Sequence, residues 1–346
     1  MNIKKLLAFF LVIGALFIAF FGYQFYKIMF KPNTDFSNPT EEIFIHTGSS
    51  FEEVYKQLRP FLKNDASFLE VAKQKKYVYN VKSGRYILHK GMSNFEIINV
   101  LRSKNEPVKV SFNNQERLEN LAGRIATQIE ADSASLLKAF TNEKFLADNE
   151  TDIKNAISLF IPNTYEVYWN ISPEQFSRKM AKEYHKFWNE KRRDQAKELG
   201  LTPEQVMVLA SIVQKETTKV DERPRVAGVY LNRLNSNQLL QADPTAIYSV
   251  KEQTEKYDTI IKRVLYKHLE IDSPYNTYKY LGLPPGPITM PDISSIEAVL
   301  NPEKHEFYFF VADNERPGYH IFAKTYQQHL KNRDQYIRWL QENNIK

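Results

Sequence analysis

The chain has 346 residues, of which 47 are Lys or Arg, 41 are Asp or Glu and none is Cys, leaving a formal net charge of +6. Without Cys there is no disulfide scaffold, zinc finger, iron–sulfur cluster, thiol nucleophile or thiol-linked lipid, and 42% hydrophobic with 13% aromatic residues is too much for a disordered chain. Length sets a prior of about two domains, and the positive excess forms no Lys/Arg block, so no nucleic-acid partner is expected.

Residues 6–26 are 21 uncharged positions rich in Leu, Phe, Ile and Ala, with Lys4 and Lys5 before them and Lys27 and Lys31 after. About 20 apolar residues rising 1.5 Å each span a bilayer core, while the whole chain is polar, with mean hydropathy −0.49. One transmembrane helix is therefore expected. The alternative is a cleaved signal peptide, whose apolar stretch of about 7–15 residues ends in a small-x-small site. Here the run is longer and ends in Tyr23-Gln24-Phe25-Tyr26, an interfacial aromatic belt. Residues 1–30 are read as a cytoplasmic tail and uncleaved anchor in the cell (inner) membrane, with the rest of the chain on the extracytoplasmic side. Positive charge at both ends leaves that orientation open.

A weak repeat follows. Gly48-Ser49-Ser50-Phe51-Glu52-Glu53-Val54 and Gly91-Met92-Ser93-Asn94-Phe95-Glu96-Ile97 share a pattern that ends in Leu58-Arg59 and Leu101-Arg102, offset by 43 residues. Each is a Ser N-cap with Glu three residues on, a capping box opening an amphipathic helix. Ile43-Phe44-Ile45 and Tyr86-Ile87-Leu88 precede the two boxes as short strands, and 108–112 is another. Residues 40–112 thus read as a small α+β module that could hold glycan or cell wall; two coincidental helix starts are the bland alternative.

Residues 113–200 read as a helical connecting region. Asn113 or Asn114 opens a helix with Leu118, Leu121, Ile125 and Ile129 at helical spacing. Leu159 to Tyr165 interrupts with an aromatic–proline segment. One later helix, 173–199, carries Phe176, Met180, Tyr184 and Trp188 as a core stripe.

Thr202-Pro203-Glu204-Gln205 is a strong helix start, with a Thr cap, Pro at the first helical position and Gln closing the box. Val206, Leu209, Ala210 and Val213 form one apolar face with Ile212 at its edge. Glu216 falls at the edge of that stripe in the last turn, Lys215 on the opposite side and Gln214 on the far flank. Desolvation and the negative helix end both disfavour the carboxylate, which suits a general acid near neutral pH; a solvated Glu at a frayed end is the alternative.

Downstream, Gln241 to Thr245 and Tyr275 to Tyr278 carry loop signals, and Gly282-Leu283-Pro284-Pro285-Gly286-Pro287 reads as a rigid loop able to wall a cleft. Residues 307–311 read as a buried strand paired with 319–322 across a hairpin connection, and 325–342 as a closing helix. Seven scattered His give no metal-ligand spacing, and no nucleophile elbow or phosphate loop occurs. No metal or cofactor is expected.

Leu209-Ala210-Ser211-Ile212-Val213-Gln214-Lys215-Glu216-Thr217 closely resembles the signature of the MltG (YceG-like) family of endolytic murein transglycosylases. The resemblance continues through Val226-Ala227-Gly228-Val229-Tyr230-Leu231-Asn232-Arg233-Leu234, Leu240-Gln241-Ala242-Asp243-Pro244-Thr245, Tyr275-Asn276-Thr277-Tyr278, the Pro/Gly loop, Phe309-Phe310-Val311-Ala312-Asp313, and His320 with Phe322. It covers essentially the whole chain. It implies an α+β architecture: an N-terminal transmembrane helix, a small LysM-like α+β module at 40–112 and a larger mixed α+β catalytic domain with its core at 201–346.

The resemblance further implies an enzyme that cuts nascent peptidoglycan strands internally. It would break the MurNAc-β-1,4-GlcNAc bond without water and leave 1,6-anhydro-MurNAc ends. The second acid of the family's E-K-E falls on Glu216 as catalytic residue; the first is Gln214 here. By resemblance and position, Asn232, Gln241, Asp243, Thr245, Tyr275, Asn276, Thr277 and His320 are expected to bind substrate. Ile157 and Asn163 also depart from the family pattern, so a contact made there is open. Peptidoglycan synthases are implied partners. Two alternatives stay open: a lysozyme-like muramidase using Asp243 as second carboxylate, and a non-catalytic wall-binding scaffold.

Overall fold

In the computed structural model, which describes residues 3–261 and 263–343, the uncharged run forms helix α1 (Ile3–Phe30). Residues 1 and 2 of the expected cytoplasmic tail, and the last three residues of the expected catalytic core, lie outside the described residues. Most Leu, Phe and Ile side chains of α1 are exposed, and its most apolar window has a mean hydropathy of 2.5, so the helix is long and apolar enough to cross a membrane. Its last turn meets protein. Met29 is buried, the Phe30 and Phe95 rings lie 5.4 Å apart, and the Asn94 amide donates to the Ile28 carbonyl at 2.8 Å.

Helix α1 belongs to the first of two units, Met1–Val110 with Gln128–Ala131 and Tyr165–Ser172. The unit continues with β1 (Thr40–Ile45), α2 (Phe51–Leu58), α3 (Asp65–Gln74), β2 (Gly84–His89) and α4 (Asn94–Ser103). Strands β1 and β2 are antiparallel, registered from Thr40 opposite His89 to Ile45 opposite Gly84. Alternation puts Ile43 and Ile45, with Tyr86 and Leu88, on the covered face. There they meet Val54, Leu58, Phe68, Val71, Ile97 and Leu101.

Both capping boxes form. Ser50 and Ser93 each accept the backbone N–H of the Glu three residues on and donate their own N–H to its carboxylate. Gly48 and Gly91 stand two residues before the caps with φ of 82° and 88°, a left-handed turn that glycine makes without steric cost. The repeated G-x-S is therefore one device used twice, a turn out of a strand followed by a cap into a helix.

Strand β3 (Pro107–Phe112) pairs with β4 (Asn163–Tyr168). The second unit is Ser111–Thr127, Asp132–Thr164 and Pro173–Lys346. The expected connecting region and catalytic core thus share one unit, apart from 128–131 and 165–172. Its elements are α5 (Leu118–Ala126), α6 (Ser133–Phe140), α7 (Glu143–Asp148), α8 (Pro173–Phe187), α9 (Glu190–Glu198), α10 (Pro203–Glu216), α11 (Arg223–Asn235), α12 (Asp243–Thr254), α13 (Tyr266–Leu269), α14 (Ile293–Leu300), the β5–β6 hairpin (Phe309–Ala312, His320–Ala323) and α15 (Tyr326–Glu342).

Four expectations are corrected. The helix expected from Asn113 or Asn114 begins at Leu118, because the preceding segment is held by tertiary bonds. Gln115 O accepts from Met290 N and Thr289 Oγ1, and Glu116 pairs with Lys215 and Lys251. The helix ends at Ala126, leaving buried Ile129 beyond it. The single helix over 173–199 is two, since Asn189 caps α9 by accepting from Arg192 N; its Phe176, Met180, Tyr184 and Trp188 are core as expected. Helix α10 begins with the expected Thr202 cap, but Val206 to Gln214 are all buried, so it is packed all round rather than on one face. Finally, β5 spans 309–312 and is half-buried, because it walls an open cleft.

Candidate active site

Helix α10 ends at Glu216. The cleft beside it, about 440 Å³, is also lined by Tyr230 and Arg233 of α11, Gln241 just before α12 and Asp243 at its start, Tyr278, the β5 residues Phe309 to Ala312, His320 of β6, and Tyr326 and His329 of α15.

Two close approaches set this geometry. Gly228 lets α11 lie against residues 303–305, where a Cβ would come within 2.6 Å of Glu303 O. One turn on, the Asn232 amide donates to His305 O and Phe307 O, each at 2.9 Å. The chain leading into β5 is thereby fixed to the helix that carries Tyr230 and Arg233. Arg233 is buried and donates to the carbonyls of Tyr308 and Leu240.

At the centre, Tyr230 OH donates to Glu216 Oε1 at 2.6 Å. Tyr230 is 1% exposed; Glu216 keeps some accessible surface because it faces the cleft. Burial is the main cause that lifts the Glu216 carboxyl to about 7, helped by repulsion from Asp243 and opposed by the Tyr230 hydrogen bond, His320 and Arg233. Its place at the negative end of α10 acts in the same upward direction. Burial and the neighbouring Glu216 hold the Tyr230 phenol far above its ordinary range, so it stays a donor.

The remaining polar groups are oriented in turn. Tyr278 OH donates to Asp243 Oδ1 at 2.6 Å. Glu222, 5% exposed, accepts the His320 backbone N–H at 2.7 Å and faces its Nδ1 at 2.8 Å. Burial alone would raise the Glu222 carboxyl, but the His320 ring and N–H outweigh it and hold it below its usual value. Phe310 packs edge-on against the rings of Tyr230 and His320, at 6.0 and 5.0 Å.

Of the residues expected at the site, Glu216, Gln241, Asp243 and His320 come together in this cleft. Asn232, Thr245, Asn276, Thr277 and Tyr275 do not line it. Thr245 and Thr277 are fully buried, 2.8 Å apart through their hydroxyls, and Thr277 Oγ1 accepts from Ala242 N. Asn276 is buried, with its amide spent on Leu269 O and Ile271 O. Tyr275 lies 4.7 Å from the Tyr248 ring in a different cavity. These groups build the loop and the start of α12. Residues 243–245, which carry loop signals in the sequence, in fact open α12, and Gln241 adopts a φ of 51° just before it.

The sequence assigns no role to Tyr230, Arg233, Tyr278 or Glu222, although the first three stand in the family-like runs. Tyr230 and Arg233 share a face of α11 at i, i+3, a spacing that marks them only once the facing helix end is known. The departures from the family pattern lie elsewhere. Gln214 is buried, accepting from Asp292 N and Ser295 Oγ and donating to Met290 O, with every bond inside the fold. Ile157 is buried, and Asn163 turns its side chain onto Thr164 N.

A model of the YceG-like family matches residues 43–335. An endolytic murein transglycosylase of Bacillus subtilis (strain 168) is 29% identical over 352 residues, covering 94% of this chain and 91% of the relative. One of Streptococcus pneumoniae is 28% identical over 365 residues, and the match spans 65% of its longer chain. A crystal structure of a YceG-like protein from Listeria monocytogenes superposes with a TM-score of 0.57 at 30% identity, over 85% of this chain and 99% of that one.

Proposed function

This chain belongs to the YceG-like family, and on that premise we propose that it is an endolytic peptidoglycan lytic transglycosylase whose one catalytic carboxyl is Glu216. The observation that carries the catalytic assignment is the Glu216 carboxyl itself, facing a cleft, lifted to about 7 and held by Tyr230. The relatives' activity supports the reaction class.

With Oε1 accepting from Tyr230, the acid proton sits on Oε2. Oε2 protonates the glycosidic oxygen of the MurNAc-β-1,4-GlcNAc bond, and the C1–O bond breaks with its electron pair on the departing GlcNAc oxygen. The resulting carboxylate, steadied by Tyr230, Arg233 and His320, takes the proton of the C6 hydroxyl while O6 closes on C1. The products are a 4-hydroxyl end and a 1,6-anhydro-MurNAc end, and Glu216 is protonated again. An intramolecular nucleophile removes the need for an activated water, and with it the second carboxylate that a hydrolase uses.

Around this reaction, α1 is a membrane anchor, the second unit lies on the extracytoplasmic side, and the 40–112 module is LysM-like and holds glycan. The last is supported by its strand–helix–helix–strand run. Peptidoglycan synthases, which make the nascent strand, are the partners this placement implies.

Asp243 lines the same cleft, which favours the hydrolytic alternative over any other. Mass spectrometry of digested sacculi decides between them. Anhydro ends from the wild type and none from Glu216→Gln support the lytic reading; reducing ends made by water addition overturn it. Unchanged cleavage by the variant rejects Glu216.

A further inference from the structure

The uncharged face of α1 stops at Tyr26, and at that level the first unit opens a cleft of about 340 Å³. It is lined by Gln24 and Lys27 of α1, by Lys31 just after it, by Lys63, and by Asn33 and Asn94. Among the described residues no carboxylate lines it. We propose that this cleft seats the phosphate of an anionic phospholipid at the membrane surface; the proposal rests on the reading of α1 as a membrane span.

Lysines after an apolar helix are common as simple flanking charges, and Lys27 and Lys31, one turn apart, could be no more than that. Lys63 is different, because it comes from another part of the chain. Its backbone N–H donates to Asn33 O at 2.8 Å, and the next residue's N–H donates to Asn33 Oδ1 at 2.8 Å. Asn33, 4% exposed, donates to Asn94 Oδ1 at 2.6 Å, and Asn94, 1% exposed, donates to Ile28 O and Ser67 Oγ. Buried amides thus tie Lys63 to the end of the apolar helix and give the cleft a fixed floor. Lys31 reaches back over the Tyr23 ring, 5.8 Å from its centre, so its ammonium is held against the end of the apolar helix. Three lysines lining one cleft over a rigid polar floor match the charge of a phosphate, and each lysine near an anionic membrane surface adds to lipid attraction.

The test uses the full chain in nanodiscs of phosphatidylcholine with and without phosphatidylglycerol. The lipid that stays bound is read by native mass spectrometry after release. At the usual contribution of one surface lysine, Lys63→Gln should lower retained phosphatidylglycerol about fivefold, and the Lys27, Lys31 and Lys63 triple change to Gln about a hundredfold. Lys73→Gln, on the exposed side of α3, should leave retention unchanged. Equal retention by wild type and Lys63→Gln, or equal loss with Lys73→Gln, overturns the proposal. So does displacement of the lipid by inorganic phosphate alone, which would mark a site for the free ion. A chain that fails to enter the discs overturns the proposal together with the membrane reading of α1, whereas entry with equal retention overturns the cleft alone.

Discussion

Two neighbouring residues at the end of α10 face two different carboxyl environments. Lys215 turns to Glu116, whose oxygens take Lys215 at 2.8 Å and Lys251 at 2.9 Å. Glu216 turns to the opposite cleft and finds one tyrosine hydroxyl. Cavity size does not separate the two places, since each borders a space of about 430 to 440 Å³. Burial raises both carboxyls. For Glu116 two ammonium groups overcome it and hold the group below its ordinary range, whereas for Glu216 burial wins and the group rises to about 7. Partners, more than depth, decide whether a buried carboxyl is held charged or kept protonated toward neutral pH.

The largest way to break this contrast is at Glu216. Glu216→Gln keeps the Tyr230 bond but removes the proton, and kcat should fall by about a thousandfold or more, read as anhydro-end formation per enzyme. A loss under tenfold would move the acid elsewhere.

The same variant sharpens the contrast through stability. The Glu216 carboxyl has its ordinary value of 4.5 when unfolded and rises to about 7 when folded, so the fold holds the extra proton between those values. Its contribution is fully present below about pH 4.5 and is lost as pH rises through about 7. Relative to wild type, Glu216→Gln should therefore gain up to roughly 3 kcal/mol between about pH 4 and about pH 8, seen in denaturant midpoints. A flat difference would mean that the carboxyl is not desolvated.

Tyr230→Phe should lower kcat about tenfold to a hundredfold, the range for a hydrogen bond to a charged group. Because that bond pulls the Glu216 carboxyl down, its loss should move the alkaline limb of the activity profile to higher pH. A shift to lower pH would contradict the geometry. Smallest of all, Glu116→Gln should cost about 1 kcal/mol near neutral pH, since Glu116 and Lys215 are about a third exposed although Lys251 is not, with activity within about twofold. Its folded carboxyl is depressed, so this contribution is present above the unfolded value and fades as pH falls through the folded one.

What the sequence showed depends on the range of the interaction. Ser50, Ser93 and Thr202 each cap a helix through a residue three positions on, so spacing alone placed them. The place of Glu216 at a cleft was legible because a helical wheel and a family motif both point to it. Asn276 and Thr277 were misleading for a physical reason: a polar side chain that satisfies a buried loop backbone has the same chemistry as one that holds a sugar. The break at Asn189 and the late start of α5 depend on a cap and a set of tertiary bonds that periodicity does not register. Tyr230 and Tyr278 gain meaning only from what folds against them.

Gly228 carries a consequence for variation in this chain. A single methyl there would be driven into the Glu303 carbonyl, which is backbone and cannot step aside. It would act as a wedge under α11, tilting Tyr230 off Glu216 and prising the β5 wall outward. The width of the cleft is metered by an atom that is missing, so on the proposed mechanism an alanine at Gly228, which does not line the cleft, would silence the enzyme as effectively as a change at Glu216.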